Sequence, residues 1–114
     1  LIIGCGHPSL HRIIQRTLDL VDAPLHGVIG GLHYPVTGSR VGKGRQNIIG
    51  SGKFPWQRIT KREAREAAAA LARHDPGLIA LSGHDSCDWT LDMFKEALGP
   101  RYRTVRVGDE IVVA

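Results

Sequence analysis

Three times along this chain a short β-prone run gives way to glycine and then, within three residues, to histidine. The runs are Leu1-Ile2-Ile3-Gly4-Cys5-Gly6-His7, Val28-Ile29-Gly30-Gly31-Leu32-His33 and Leu78-Ile79-Ala80-Leu81-Ser82-Gly83-His84. Strands joined by helical crossovers run parallel and end on one edge of their sheet. That edge is where open α/β sheets bind ligands. The pattern predicts an α/β fold in which His7, His33 and His84 converge on a metal centre.

The rest of the sequence fits that frame. Leu10, Ile13, Ile14, Leu18 and Val21 recur at helical spacing after Pro8-Ser9, and Asp22-Ala23-Pro24 closes the helix. Leu25 to Gly30 reads as a second strand. Thr60-Lys61-Arg62-Glu63 has the form of a capping box, and the alanine run that follows has high helix propensity. Leu78 to Leu81 reads as a third strand. A helix capped by Ser86 or Asp88 would turn Leu91, Phe94, Ala97 and Leu98 inward and end at Gly99-Pro100. Tyr102 to Val107 and Glu110 to Val113, joined at Gly108-Asp109, read as a terminal hairpin.

Between Tyr34 and Ile59 the periodicity dissolves into five glycines and two prolines. Extended to Arg62, this stretch carries Arg40, Lys43, Arg45, Lys53, Arg58, Lys61 and Arg62 with no acidic residue. A long loop within a small domain is usually functional or disordered. The readings are a solvated lid or a surface for an anion, with Arg40, Lys43 and Arg45 as substrate-binding residues. Nucleic-acid binding through charge and aromatic stacking is the weaker reading.

At 114 residues the chain is one domain or part of one. It opens inside a strand, which reads as a fragment or as one half of a larger fold. Two cysteines are too few for a disulfide framework. Both sit past strand ends beside histidines, so free thiols and a cytoplasmic location are expected. No membrane-spanning run is visible.

Histidine is the commonest transition-metal ligand. Each of the three could instead pack or hydrogen-bond within its loop. Asp85, directly after His84, could ligate, act as a general base or orient an imidazole, and Cys5 could be a thiolate ligand or a small buried strand-end residue. His11, His26 and His74 read as structural or surface residues. Two nucleotide-binding look-alikes fail. Gly4-Cys5-Gly6-His7-Pro8-Ser9 lacks its third glycine, and Gly50-Ser51-Gly52-Lys53 is followed by Phe54 where Ser or Thr is required.

Gly4-Cys5-Gly6-His7-Pro8, Val28-Ile29-Gly30-Gly31-Leu32-His33 and Ser82-Gly83-His84-Asp85-Ser86-Cys87 resemble the C-terminal half of metallo-β-lactamase-fold proteins. The branch they resemble most includes dihydropterin-type aminobenzene-phosphate synthases. The resemblance spans essentially the whole chain and implies half of an αββα sandwich. It also implies one or two ions of zinc, or of iron or manganese, held at one edge of the sheets. In that family the first half supplies a His-x-His-x-Asp-His motif, which this chain lacks. His7 and His84 would match later ligand positions, and His33 the Gly-Gly-x-His lining the same edge. The family often has Asp at a strand end where this chain has Cys5-Gly6-His7, and this branch often has Cys after its last His, where Asp85 stands.

The implied activity is that of a metal-dependent hydrolase. A metal-bound water would attack an ester, lactone, amide or phosphoester of an anionic substrate, with Asp85 as auxiliary base. The competing class is a non-catalytic metal- or anion-binding module lacking the first half of the site. Either way the expected partner is an N-terminal half or second chain. An uncovered sheet face would also favour self-association.

Overall fold

The computed structural model describes residues 1–37, 54, 58–84 and 86–113. Four strands and three helices alternate: β1 (Ile2–Ile3), α1 (Leu10–Leu20), β2 (Gly27–Gly30), α2 (Lys61–His74), β3 (Leu78–Ser82), α3 (Asp88–Leu98) and β4 (Tyr102–Val105). A 3-10 turn at Gly99–Arg101 leads into β4. The sheet order is β1-β2-β3-β4 and every neighbouring pair is parallel. Most of the basic loop lies outside the described residues, including Arg40, Lys43 and Arg45, as does Asp85.

The expected terminal hairpin is not what forms. Tyr102 to Val105 is a strand, but it runs parallel to β3, with Ile79 opposite Tyr102 and Leu81 opposite Thr104. Helix α3 carries the chain back across the sheet, so the next strand must point the same way as the last. The turn at Gly108-Asp109 is present. Asp109 N–H donates to the Arg106 carbonyl at 3.1 Å, and Asp109 Oδ2 accepts from Arg106 N–H at 2.7 Å. Residues 110–113 form no strand.

α1 packs against α2, and α2 against α3. Helices separated by a sheet could not touch in this way, so all three cover one face. Ile3, Val28, Ile79 and Leu81 point into that layer and meet Leu10, Ile14, Leu71 and Phe94. Phe94 is fully buried, which is worth about 1.5–3 kcal/mol. On the opposite face the register aligns Ile2, Ile29 and Ala80. Ile2 is 84% exposed and Ile29 half-buried, while Ala80 is covered. One face is therefore a core, and the other is apolar but only partly covered.

The helix ends follow local chemistry. Thr60 and Glu63 form the reciprocal capping box, with Glu63 N–H donating to Thr60 Oγ1 and Thr60 N–H donating to Glu63 Oε2. A cap of this type is worth about 1 kcal/mol. At α3 the capping position is Cys87, not Ser86 or Asp88. Ser86 is committed elsewhere, accepting the Tyr34 N–H at 3.1 Å. Asp88 lies in the first turn, where a carboxylate offsets the helix dipole. Ala97, expected inward, is exposed. Lys61 and Arg65 of α2 both stand over the Trp89 ring of α3, at 4.8 and 5.3 Å, and help hold these helices together. Among the described residues no helix is long and apolar enough to cross a membrane.

Candidate functional site

The register sets the geometry of the carboxyl edge. Ile3, Gly30 and Leu81 lie side by side. His33 and His84 each follow that line by three residues and His7 by four, so all three histidines leave the sheet on one edge. Gly30 makes the close approach possible. Its φ is +129°, and a Cβ there would fall 1.7 Å from the Ile3 carbonyl oxygen. Only glycine fits. Gly6, at φ +70°, likewise lies against Leu32, where a Cβ would come within 2.7 Å of backbone.

The edge sorts the histidines into two groups. His7 and His33 stack on each other, with ring centroids 4.2 Å apart and planes tilted by 50°. His33 is buried and holds a left-handed φ of +54°. For a residue other than glycine that conformation costs roughly 1–2 kcal/mol, and such strain concentrates at functional positions. The backbone after His33 is clamped by the start of α3. Tyr34 N–H donates to Ser86 Oγ, the Tyr34 carbonyl accepts from Thr90 Oγ1 at 2.8 Å, and Thr37 N–H donates to Cys87 Sγ at 3.4 Å.

That clamp acts on Cys87. Burial opposes ionisation of its thiol, but hydrogen bonds from Thr37 and Thr90 outweigh it and bring the pKa down to about 7. Burial has the opposite outcome at Tyr34. There it raises the phenol to about 12, against a backbone hydrogen bond from Leu10 and with the Glu63 charge reinforcing it. Tyr34 is thus a neutral phenol at physiological pH.

The second group lies on the surface. Cys5 Sγ is 3.3 Å from His84 Nε2, and His84 Nδ1 shares a 2.5 Å hydrogen bond with Ser82 Oγ. Cys5 and His84 come from strands on either side of β2, whose end, Gly30-Gly31, has no side chain to separate them. When Nδ1–H donates to Ser82, Nε2 turns its lone pair toward the sulfur. A cysteine sulfur facing an oriented imidazole suits zinc-type coordination, the serine fixing the ring as outer partners of metal-binding histidines do. It is equally the order of nucleophile, base and orienter in thiol catalysis.

The structure thus pairs His7 with His33 and His84 with Cys5. Among the described residues no group of three or more His, Cys, Asp or Glu side chains could hold a metal ion. The pair at Cys5 and His84 fits one side of a tetrahedral site and does not complete it. Cys5 is exposed, contrary to a buried strand-end role. Ser82 carried no sequence signal, because nothing in the strand pattern marks a hydroxyl that orients the histidine two residues on.

Beside this edge a cleft of about 560 Å³ opens between the start of α1 and α2. His7 and His33 line one end, and Leu32, Tyr34, Ala67 and Ala70 form much of its wall. His11, exposed on α1, also reaches it, whereas His26 and His74 are surface residues outside it. No family model, curated protein sequence or solved structure matches the chain.

Proposed function

We propose that this chain carries one side of a metal-dependent hydrolytic site of the metallo-β-lactamase type, in half of an αββα sandwich. The observation that carries the reading is the contact between Cys5 Sγ and His84 Nε2, made by residues 79 apart in sequence. One-sided helix layering and an apolar opposite sheet face support the half-sandwich. Cys5 and His84 would supply two ligands to zinc, or to iron or manganese, and the remaining ligands would come from outside the described residues. The metal would act as a Lewis acid and generate a nucleophile from water at neutral pH.

The chain's own residues have distinct tasks. Ser82 holds the His84 ring so that Nε2 faces the sulfur. His7 and His33 line the same edge, and His7 can hydrogen-bond a substrate oxygen. Asp85, next to His84 in sequence, would act as auxiliary base or orienter. The basic residues Arg40, Lys43 and Arg45 would favour an anionic ester, lactone, amide or phosphoester.

Elemental analysis of the protein and its Cys5→Ser and His84→Ala variants, paired with ester and phosphoester hydrolysis, tests this. Stoichiometric metal and chelator-sensitive hydrolysis, both lost in the two variants, are expected. Metal bound without hydrolysis would instead indicate a binding module. Metal-free hydrolysis lost on Cys5→Ser would indicate a thiol nucleophile with His84 as base, the arrangement that the same contact also favours.

A further inference from the structure

The cleft between α1 and α2 is separate from the Cys5–His84 contact yet touches it through Gly6 and His7, the residues that follow Cys5. At about 560 Å³ it has the size of a small-molecule site, and the surface it exposes is mostly apolar, as in such sites. It exists because α2 presents alanines there. Ala67 and Ala70 end at Cβ and leave the groove that larger side chains would fill, while Leu32 and Tyr34 close its base. Along α2 the lining runs from Glu63 in the first turn to Arg73 in the last. That is about 15 Å at 1.5 Å rise per residue.

Charge selects the ligand further. Both acidic groups on the cleft are already engaged. Glu63 Oε2 accepts from Thr60 N–H and Thr60 Oγ1, and Glu66 is ion-paired with Arg62 at 2.8 Å. Arg73 is exposed and forms no ion pair among the described residues. An occupant therefore meets an apolar floor of Leu32, Tyr34, Ala67 and Ala70 flanked by the engaged Glu63 and Glu66, with a guanidinium at one end and the histidine pair at the other.

We infer that this cleft binds an elongated apolar molecule, acyl or aryl, that carries an anionic group. The anion pairs with Arg73, the body lies on Ala69 and Ala70, and the opposite end reaches His7 beside the Cys5–His84 edge. As a statement of substrate class this rests on the hydrolytic reading above, whereas the binding itself does not.

Calorimetric titration with decanoate tests it, with decyltrimethylammonium as the cation of like apolar body. Bound metal is measured in every sample. Decanoate is expected to bind and the cation to bind at least tenfold more weakly. Ala70→Leu, which fills the groove, and Arg73→Gln, which removes the charge, should each weaken decanoate at least tenfold. Ala69→Leu guards against a folding defect at the buried Ala70. Ala69 is exposed on the same wall, so leucine there narrows the cleft without disturbing the core. All three variants should keep the wild-type metal content. Decanoate binding that ignores all three substitutions, or equal affinity for the cation, would overturn the inference. Binding as described in a protein that takes up no metal would sustain the cleft and remove the hydrolytic reading.

Discussion

The two histidine pairs at the carboxyl edge are built by different means. His7 and His33 stack ring on ring. His33 is buried, held in a left-handed conformation and fixed by a backbone clamp from α3. His84 and Cys5 are exposed and placed by hydrogen bonds, with Ser82 on one ring nitrogen and the sulfur facing the other. A buried, strained imidazole suits shaping a site and fixing a substrate. An exposed imidazole opposite a thiol suits ligation and chemistry, because it can exchange its partner without unfolding anything. The strand-Gly-His theme therefore yields two different constructions along one edge.

Both pairs depend on Gly30, so Gly30→Ala should break them together. A Cβ placed 1.7 Å from the Ile3 carbonyl oxygen cannot be accommodated without separating β1 from β2. The expected loss is on the order of 3–5 kcal/mol, read by chemical denaturation. A loss under about 1 kcal/mol would show that the edge tolerates rearrangement.

Ser82→Ala should separate the pairs. It removes the partner of His84 Nδ1 and leaves the His7–His33 stack untouched. Metal affinity should fall about 10- to 100-fold, as when other outer partners of ligating histidines are removed. Stability should change by less than about 1 kcal/mol, since His84 is exposed. Unchanged metal affinity would show that the hydroxyl does not orient the ring.

Much of this architecture is legible in the sequence, and the gaps have physical causes. Apolar periodicity and the capping box at Thr60 place α1 and α2, and the glycine-histidine theme locates the carboxyl edge. The direction of β4 is not legible there, because alternation and a Gly-Asp turn look alike in a hairpin and in an edge strand with a tail. Only the crossover through α3 decides between them. The α3 cap departs from the sequence pattern because Ser86, the better capping residue by type, is drawn to the Tyr34 backbone. The cleft was hidden in the alanine run, which reads as helix propensity until a second helix is seen to stand away from it. The division of the histidines into pairs follows from side-chain reach across a turn of glycines, which spacing alone does not encode.

Cobalt(II) substitution followed by absorption spectroscopy addresses the central claim most directly, because only a thiolate ligand gives a sulfur-to-cobalt charge-transfer band. The band is expected in the wild-type protein and in Cys87→Ser, whose sulfur serves the α3 clamp, and should be absent from Cys5→Ser. A band that survives Cys5→Ser, or none in the wild-type protein, would contradict a metal site built on Cys5 and His84.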